Sequence, residues 1–467
     1  MNSSSINIQH LYWRAGFGPP LNLKPNISLD NEIASIFKNS NKIVPLTLTG
    51  WNPVPYLKAK DFTDAEKKAY RTMEREARLQ IVNQIYERQI HADFFLREKM
   101  TLFWMGHFAC RVSNPKFMLK YYNTISENAL GKFSDLLRAM IRNAALLQYL
   151  NNNSNRKANP NENFARELME LFALGIGNYT ENDVKEGARA LTGWAFDPDG
   201  NLLIRQEHHD SGNKTFLGNT GNFDGDDIVN SILAKKECAL FITTKIYKYF
   251  VNYVPDKIIL SGLANDFFNS GYDVEKLLKQ IFSSDWFYKK ENIGSRIKSP
   301  IELINGMVRL FNISFINPAA RLPIQSVLGQ TLFDPPNVAG WPDGRGWIDS
   351  STLMYRTRLP EVLLEDAETL TAPKAEFDAQ ESMLNETITT AKAKRIQTTY
   401  DKVDFLKFFN PFQEQKSIDI MSKFMLQVKP DAGAIHLIEN FTSKSAGDTR
   451  ILKTAIYLMS LPEYQLC

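Results

Sequence analysis

Apolar positions recur at helical spacing through most of the chain. The clearest case is Asn161-Glu-Asn-Phe-Ala-Arg-Glu-Leu-Met-Glu-Leu-Phe172. At about 100° per residue, Phe164, Leu168, Leu171 and Phe172 share one arc of a helix. Asn163, Arg166, Glu167 and Glu170 share the opposite arc, at i, i+3, i+4 and i+7. One face is buried, and an amide, a guanidinium and two carboxylates are presented together on the other. Two readings follow. The stripe is a solvated face with an Arg166–Glu170 pair, which contributes little to stability, or it is a carboxylate site. The apolar segments on both sides favour a stripe that faces inward.

The same spacing extends along the chain. His10 to Gly18 reads as a short helix stopped by Gly16, Gly18 and Pro19-Pro20. Residues 64–112 read as a long helical region in at least two pieces. The first is charged and solvated; the second, through Phe94, Phe95, Met100, Phe103, Trp104 and Phe108, belongs in the core. Residues 113–150 carry two further helical patterns, and Asn151 to Pro160 is a loop. Thr180-Glu-Asn-Asp183 resembles a capping box that starts the next helix. The pattern breaks in residues 195–225, where the Phe196-Asp-Pro-Asp-Gly200 turn and the Leu202-Leu-Ile204 run predict one short β-hairpin or irregular excursion. Helices then resume up to Phe311. A long Pro/Gly/Trp-rich loop occupies residues 329–349, and ordered loops of that length usually carry function. The prediction is a mainly α multi-helix bundle: a helical main body over 1–369, a polar excursion over 370–402, and C-terminal helices over 403–467 that pack on the main body.

Composition narrows the function classes. Apolar residues make up 43% and charged residues 23% of 467, ordinary for a globular protein. A net charge of +3 gives no field for nucleic acid. No stretch approaches the roughly 18 apolar residues of a membrane span. The N-terminus has no basic, then apolar, leader pattern, which predicts a cytoplasmic location. The three cysteines, Cys110, Cys238 and Cys467, form no CxxC pair, so a thiolate zinc site is not predicted.

Metalloprotease, GxSxG, Walker A and GxGxxG fingerprints are absent, so a site must be assembled from separate segments. His107 lies among aromatics in Phe103-Trp-Met-Gly-His-Phe108, as a core residue or as an imidazole of tunable pKa. His208-His209-Asp210 is a loop pair in which the carboxylate can orient a histidine, and Lys214 offers a charge to an anionic group. Two carboxylates, Glu167 and Glu170, with His107 and His209 make a donor set for a divalent metal. Trp341 and Trp347 offer an aromatic platform for a sugar or an apolar partner, or simply pack the loop down.

Taken together the motifs are specific. They run His10-Leu-x-x-Arg14-Ala-Gly-Phe-Gly18, Arg97-Glu-Lys-Met-Thr-Leu-Phe-Trp104-Met-Gly-His107-Phe, Asn161 to Phe172, Tyr179-Thr-Glu-Asn-Asp-Val184, Ala188-Arg-Ala-Leu-Thr-Gly-Trp194, His209-Asp-x-Gly-x-Lys214 and Phe333-Asp-Pro-Pro-Asn-Val-Ala-Gly-Trp341-Pro. In this order the chain resembles the bacterial family called domain of unknown function 1800, over nearly its whole length. The resemblance implies one large, mainly α-helical unit. It carries no activity. It also suggests a partner, a sulfatase- or phosphatase-like protein of the domain of unknown function 1501 family. Many members of the family are exported, which points away from the cytoplasm. Met105-Gly106 stands where the family pattern often has a second His or Asn, which weakens a two-histidine metal site around Trp104.

Two functions follow as expectations. One is a hydrolase-like enzyme on a polar, glycan-like substrate. In it Glu167 is the general acid/base, Glu170 and Arg166 position it, His107 and His209 assist or bind metal, and Asn163, Lys214, Trp341 and Trp347 hold the substrate. The other is a non-catalytic scaffold or binding protein that works with the phosphatase-like partner.

Overall fold

The helical spacing is realised in a computed structural model, which describes residues 3–21, 27–51, 62–365, 396–410 and 417–467. Twenty α-helices are found among the described residues, and their apolar faces meet in one continuous core. No described helix is long and apolar enough to cross a membrane.

The region 64–112 divides as its composition predicts. Thr63 and Glu66 form a capping box at the start of the Asp64–His91 helix, whose first turns are exposed and whose second half buries Ile81, Val82, Ile85 and Ile90. The Phe95–His107 helix follows and is buried on nearly every side. Even its charged residues are inside, each with a partner. Arg97 donates to the Ser40 carbonyl (2.8 Å) and the Ser126 carbonyl (2.6 Å), and Tyr122 donates to Glu98. Trp104 is fully buried, and truncating such a side chain to Ala typically costs about 3–5 kcal/mol.

Residues 113–150 form three helices rather than two, Pro115–Asn128, Phe133–Ile141 and Ala144–Tyr149. Asn143 breaks the apparent continuity by capping the last of them, accepting from Ala145 N at 3.1 Å. The expected capping box at Thr180 is present, with Asp183 completing it.

The β content differs from expectation. Two hairpins, not one, occupy 194–221. Trp194–Phe196 pairs with Leu202–Ile204 around the Asp197 turn, and Lys214–Phe216 pairs with Asn219–Gly221 around Gly218 at φ +90°. A third antiparallel pair joins Ile313–Phe315 to Thr398–Tyr400. That pairing spans a long stretch of chain, so no local pattern announces it. Most of the polar excursion, 370–395, lies outside the described residues; its end supplies this strand. Within 403–467 the chain returns to the main body: Lys298 Nζ donates to the Tyr464 carbonyl (2.6 Å), and Arg296 and Cys467 exchange backbone hydrogen bonds.

Candidate functional site

The Asn163–Glu170 helix ends one turn before Gly175 (φ +78°), whose N–H bonds back to the Met169 carbonyl. Carbonyls at a helix end have no partner within the helix. Two of them are taken by side chains from other helices. Lys245 Nζ donates to the Leu171 carbonyl (2.9 Å), and His107 Nε2 donates to the Phe172 carbonyl (3.0 Å). With its Nε2 proton so committed, His107 Nδ1 is an acceptor, and Lys245 Nζ lies 3.2 Å from it. Burial and then the Lys245 charge keep the imidazole neutral, well below its ordinary pKa, although the Phe172 carbonyl opposes them. Burial pulls the Lys245 ammonium down to about 8 against the opposing charge of Asp343. Two of its three protons are used, and the ammonium also lies 4.7 Å from the centre of the Phe241 ring, while Lys245 lines the space beside it.

That space is a cleft of about 180 Å³. Its walls include His107, Lys245, Lys248, Tyr249, Trp341 and Trp347. The Lys236–Phe250 helix turns Ile242, Ile246 and Phe250 into the core and leaves Lys245, Lys248 and Tyr249 on an adjacent arc. The Trp341 loop closes over the end of the Phe95–His107 helix at a glycine contact. Gly340 has φ +96°, and a Cβ there would lie 2.4 Å from the Gly106 carbonyl oxygen. The Trp341 ring lies over Gly106, where a Cβ would make ordinary contact with it at 3.7 Å. Trp347 is buried, and Thr352 Oγ1 ties its carbonyl down at 3.1 Å.

The cleft floor is charged. Arg296 stacks on the Tyr249 ring at 4.7 Å, with Tyr253 at 6.0 Å. Its Nη1 is 3.6 Å from Glu302, which also takes the ammonium of Lys99. Glu302 sits in the capping box that opens the Pro300–Phe311 helix. Burial opposes its ionisation, but Lys99 and Arg296 overcome this and hold the carboxyl at about 2.

Of the residues singled out in the sequence, His107, Trp341 and Trp347 meet in this cleft. The others lie elsewhere. The polar stripe of the Asn163–Glu170 helix is exposed or half-buried, not turned inward. Arg166 does not pair with Glu170. It holds Glu181 with two bonds of 2.8 Å and Glu162 at 3.3 Å, while Glu170 accepts from Tyr179 Oη at 2.5 Å. A residue on the following helix outcompetes the i,i+4 partner because it meets both guanidinium nitrogens at once. Asn163 is exposed, its Nδ2 donating to the Leu150 carbonyl (3.2 Å). Burial, then the charge of Glu170, raises the Glu167 pKa against Arg166, and Glu167 does not line the cleft. His209 Nδ1 donates to the Thr192 carbonyl (2.9 Å). Lys214 Nζ donates to the Asp210 and Gly212 carbonyls at 2.5 and 3.1 Å, shaping its own loop. Asp210 is held by Arg189 at 2.8 Å. The metal donor set of Glu167, Glu170, His107 and His209 is therefore not assembled. Among the described residues no three His, Cys, Asp or Glu side chains come together to hold a metal ion.

Lys245, Lys248, Tyr249, Tyr253 and Arg296 went unnoticed in the sequence. Lys245, Lys248 and Tyr249 at i, i+3 and i+4 within an apolar helix were a usable signal. Arg296 sits in a connection with no periodic pattern, and only the fold reveals it.

A family model described as a protein of unknown function, DUF1800, matches residues 10–466. No curated protein and no solved structure matches the chain.

Proposed function

The chain belongs to the DUF1800 family, and we propose that it is an acid–base enzyme, hydrolase-like on a polar substrate, working in the cleft beneath the Trp341 loop. The observation that carries this reading is Lys245: a mostly buried ammonium, lowered to about 8, set against His107 Nδ1 on a residue that lines the cleft. An acid–base group works best when its pKa is near the working pH. Protonated Lys245 can donate to a leaving oxygen. Deprotonated, it can take a proton from an attacking water. His107 is the positioning residue, since its fixed neutral tautomer accepts from Lys245 and holds the ammonium in place. Trp341 and Trp347 offer apolar surface to a sugar-like or aromatic part of the substrate. This reading moves the acid–base role from Glu167 to Lys245.

The experiment is hydrolysis of a panel of small chromogenic esters and glycosides across neutral to alkaline pH, by wild type and Lys245→Met. Turnover with an inflection near 8 that vanishes in the variant is expected. Turnover that persists in Lys245→Met removes the reading.

A second reading, a non-catalytic binding protein for a partner of the domain of unknown function 1501 family, is favoured by Val254 and Ile258. They are 79% and 86% exposed and follow Tyr253 of the cleft. Failure to find any Lys245-dependent turnover in the panel favours it.

A further inference from the structure

Behind Arg296, which lines the cleft, the interior holds more buried positive charge than the surrounding side chains neutralise. Arg14, Lys99, Arg296, Lys298 and Arg356 are each at most 3% exposed, and among the described residues Glu302 is the one carboxylate side chain buried with them. Cys467, beside Arg296, adds negative potential to the same group. Four of the five cations are tied down. Arg14 donates to the Asn292 carbonyl (2.6 Å), Lys99 to the Gly16 carbonyl (2.7 Å), Lys298 to the Tyr464 carbonyl (2.6 Å) and Arg356 to the Lys298 carbonyl. Arg296 is the one of the five that lines the cleft. It is 3% exposed, its Nη1 has only the 3.6 Å ion contact with Glu302, and its Nε, like Arg14 Nε and Arg356 Nε, has no hydrogen-bond partner. The Tyr249 and Tyr253 hydroxyls, which line the same cleft, are also buried and unpaired.

Leaving a buried donor unmade costs its full desolvation, and more for a charged one. Three residues with such groups line one cleft, which suits a ligand that brings acceptor oxygens. Guanidinium and phenol donors with surplus positive charge suit an oxyanion, and a group of two negative charges more than one. Lys245 and Lys248 on the wall add to the same field, while Asp343 is exposed at the mouth.

We propose that the cleft floor is an oxyanion subsite, in which Arg296, Tyr249 and Tyr253 hold the phosphate or sulfate group of the substrate. The proposal rests on the cleft being the functional site, but not on Lys245 being catalytic.

The test is calorimetric titration of inorganic phosphate, sulfate and acetate into the whole chain at fixed ionic strength. Wild type, Arg296→Lys, Tyr249→Phe, Tyr253→Phe and Lys245→Met are compared, each first shown by circular dichroism to be folded. Phosphate or sulfate is expected to bind one site, with affinity reduced about tenfold in Arg296→Lys and in at least one tyrosine variant. Binding that persists in Lys245→Met, when wild type turns over no substrate of the panel, supports the subsite and counts only against the catalytic reading. Three results overturn the subsite: no binding of either tetrahedral anion, acetate binding as tightly as phosphate, or affinity unchanged in all three floor variants. The two conservative tyrosine variants keep the test open if Arg296→Lys, which also loosens the contact with Glu302, does not fold.

Discussion

Lys245 Nζ and His107 Nδ1 lie 3.2 Å apart, and each side chain is anchored on one of two consecutive carbonyls, Leu171 and Phe172. A helix that looks functional through its side chains thus serves the cleft through its backbone end. The pairing fixes the direction of the hydrogen bond, from ammonium to imidazole, and makes both groups measurable.

Lys245 is expected to react with small acylating reagents with a pH midpoint near 8, below that of ordinary lysines. Peptide mass spectrometry after timed acetylation at a series of pH values checks this. A midpoint in the usual lysine range would show that burial does not perturb the ammonium.

His107 is expected to stay neutral, with its proton on Nε2, throughout the range in which exposed histidines titrate. Nitrogen-15 chemical shifts of the imidazole report both tautomer and charge. A change of charge near pH 6.5, the ordinary histidine value, would contradict the burial described.

Glu302→Gln is expected to destabilise the fold by about 3–5 kcal/mol, because Lys99 and Arg296 are then left buried without their carboxylate. The pH dependence has a definite sign. The folded pKa of about 2 lies below the ordinary 4.5, so the contribution is present above 4.5 and is lost as the pH falls toward 2. Urea unfolding of both proteins at neutral and acid pH measures it. Their stabilities should converge in acid.

Glu167→Gln should behave in the opposite way. Burial and Glu170 raise the Glu167 pKa above the ordinary 4.5, so its ionisation weakens the fold progressively as the pH rises past 4.5 and has no effect well below it. The variant is expected to melt no lower than wild type at neutral pH, with any advantage disappearing in acid. A neutral-pH melting temperature well below wild type would mean that the carboxylate makes a contact the fold depends on.

Gly340→Ala is expected to disturb the Trp341 loop, since a Cβ would meet the Gly106 carbonyl and φ of +96° disfavours any side chain. A loss of about 1–3 kcal/mol, with altered tryptophan fluorescence, is the expected outcome. Unchanged fluorescence would place the loop's closure elsewhere.

Helical spacing, caps and turn residues are local, and they identified most of the helices, the Thr180 capping box and the aromatic core helix ending at His107. The polar arc of the 161–172 segment was equally legible, and so was the seven-motif resemblance to the DUF1800 family, which the match over 10–466 supports. Which way that arc faces was not legible. Periodicity separates two faces of a helix but does not say what covers the polar one, and here Glu181 and Tyr179 from the next segment meet it at the surface. The cleft was hidden for a related reason. Its parts come from the 107, 245, 296 and 341 regions, and their shared property, polar groups gathered at one partly buried cleft, exists only once the chain has folded around them.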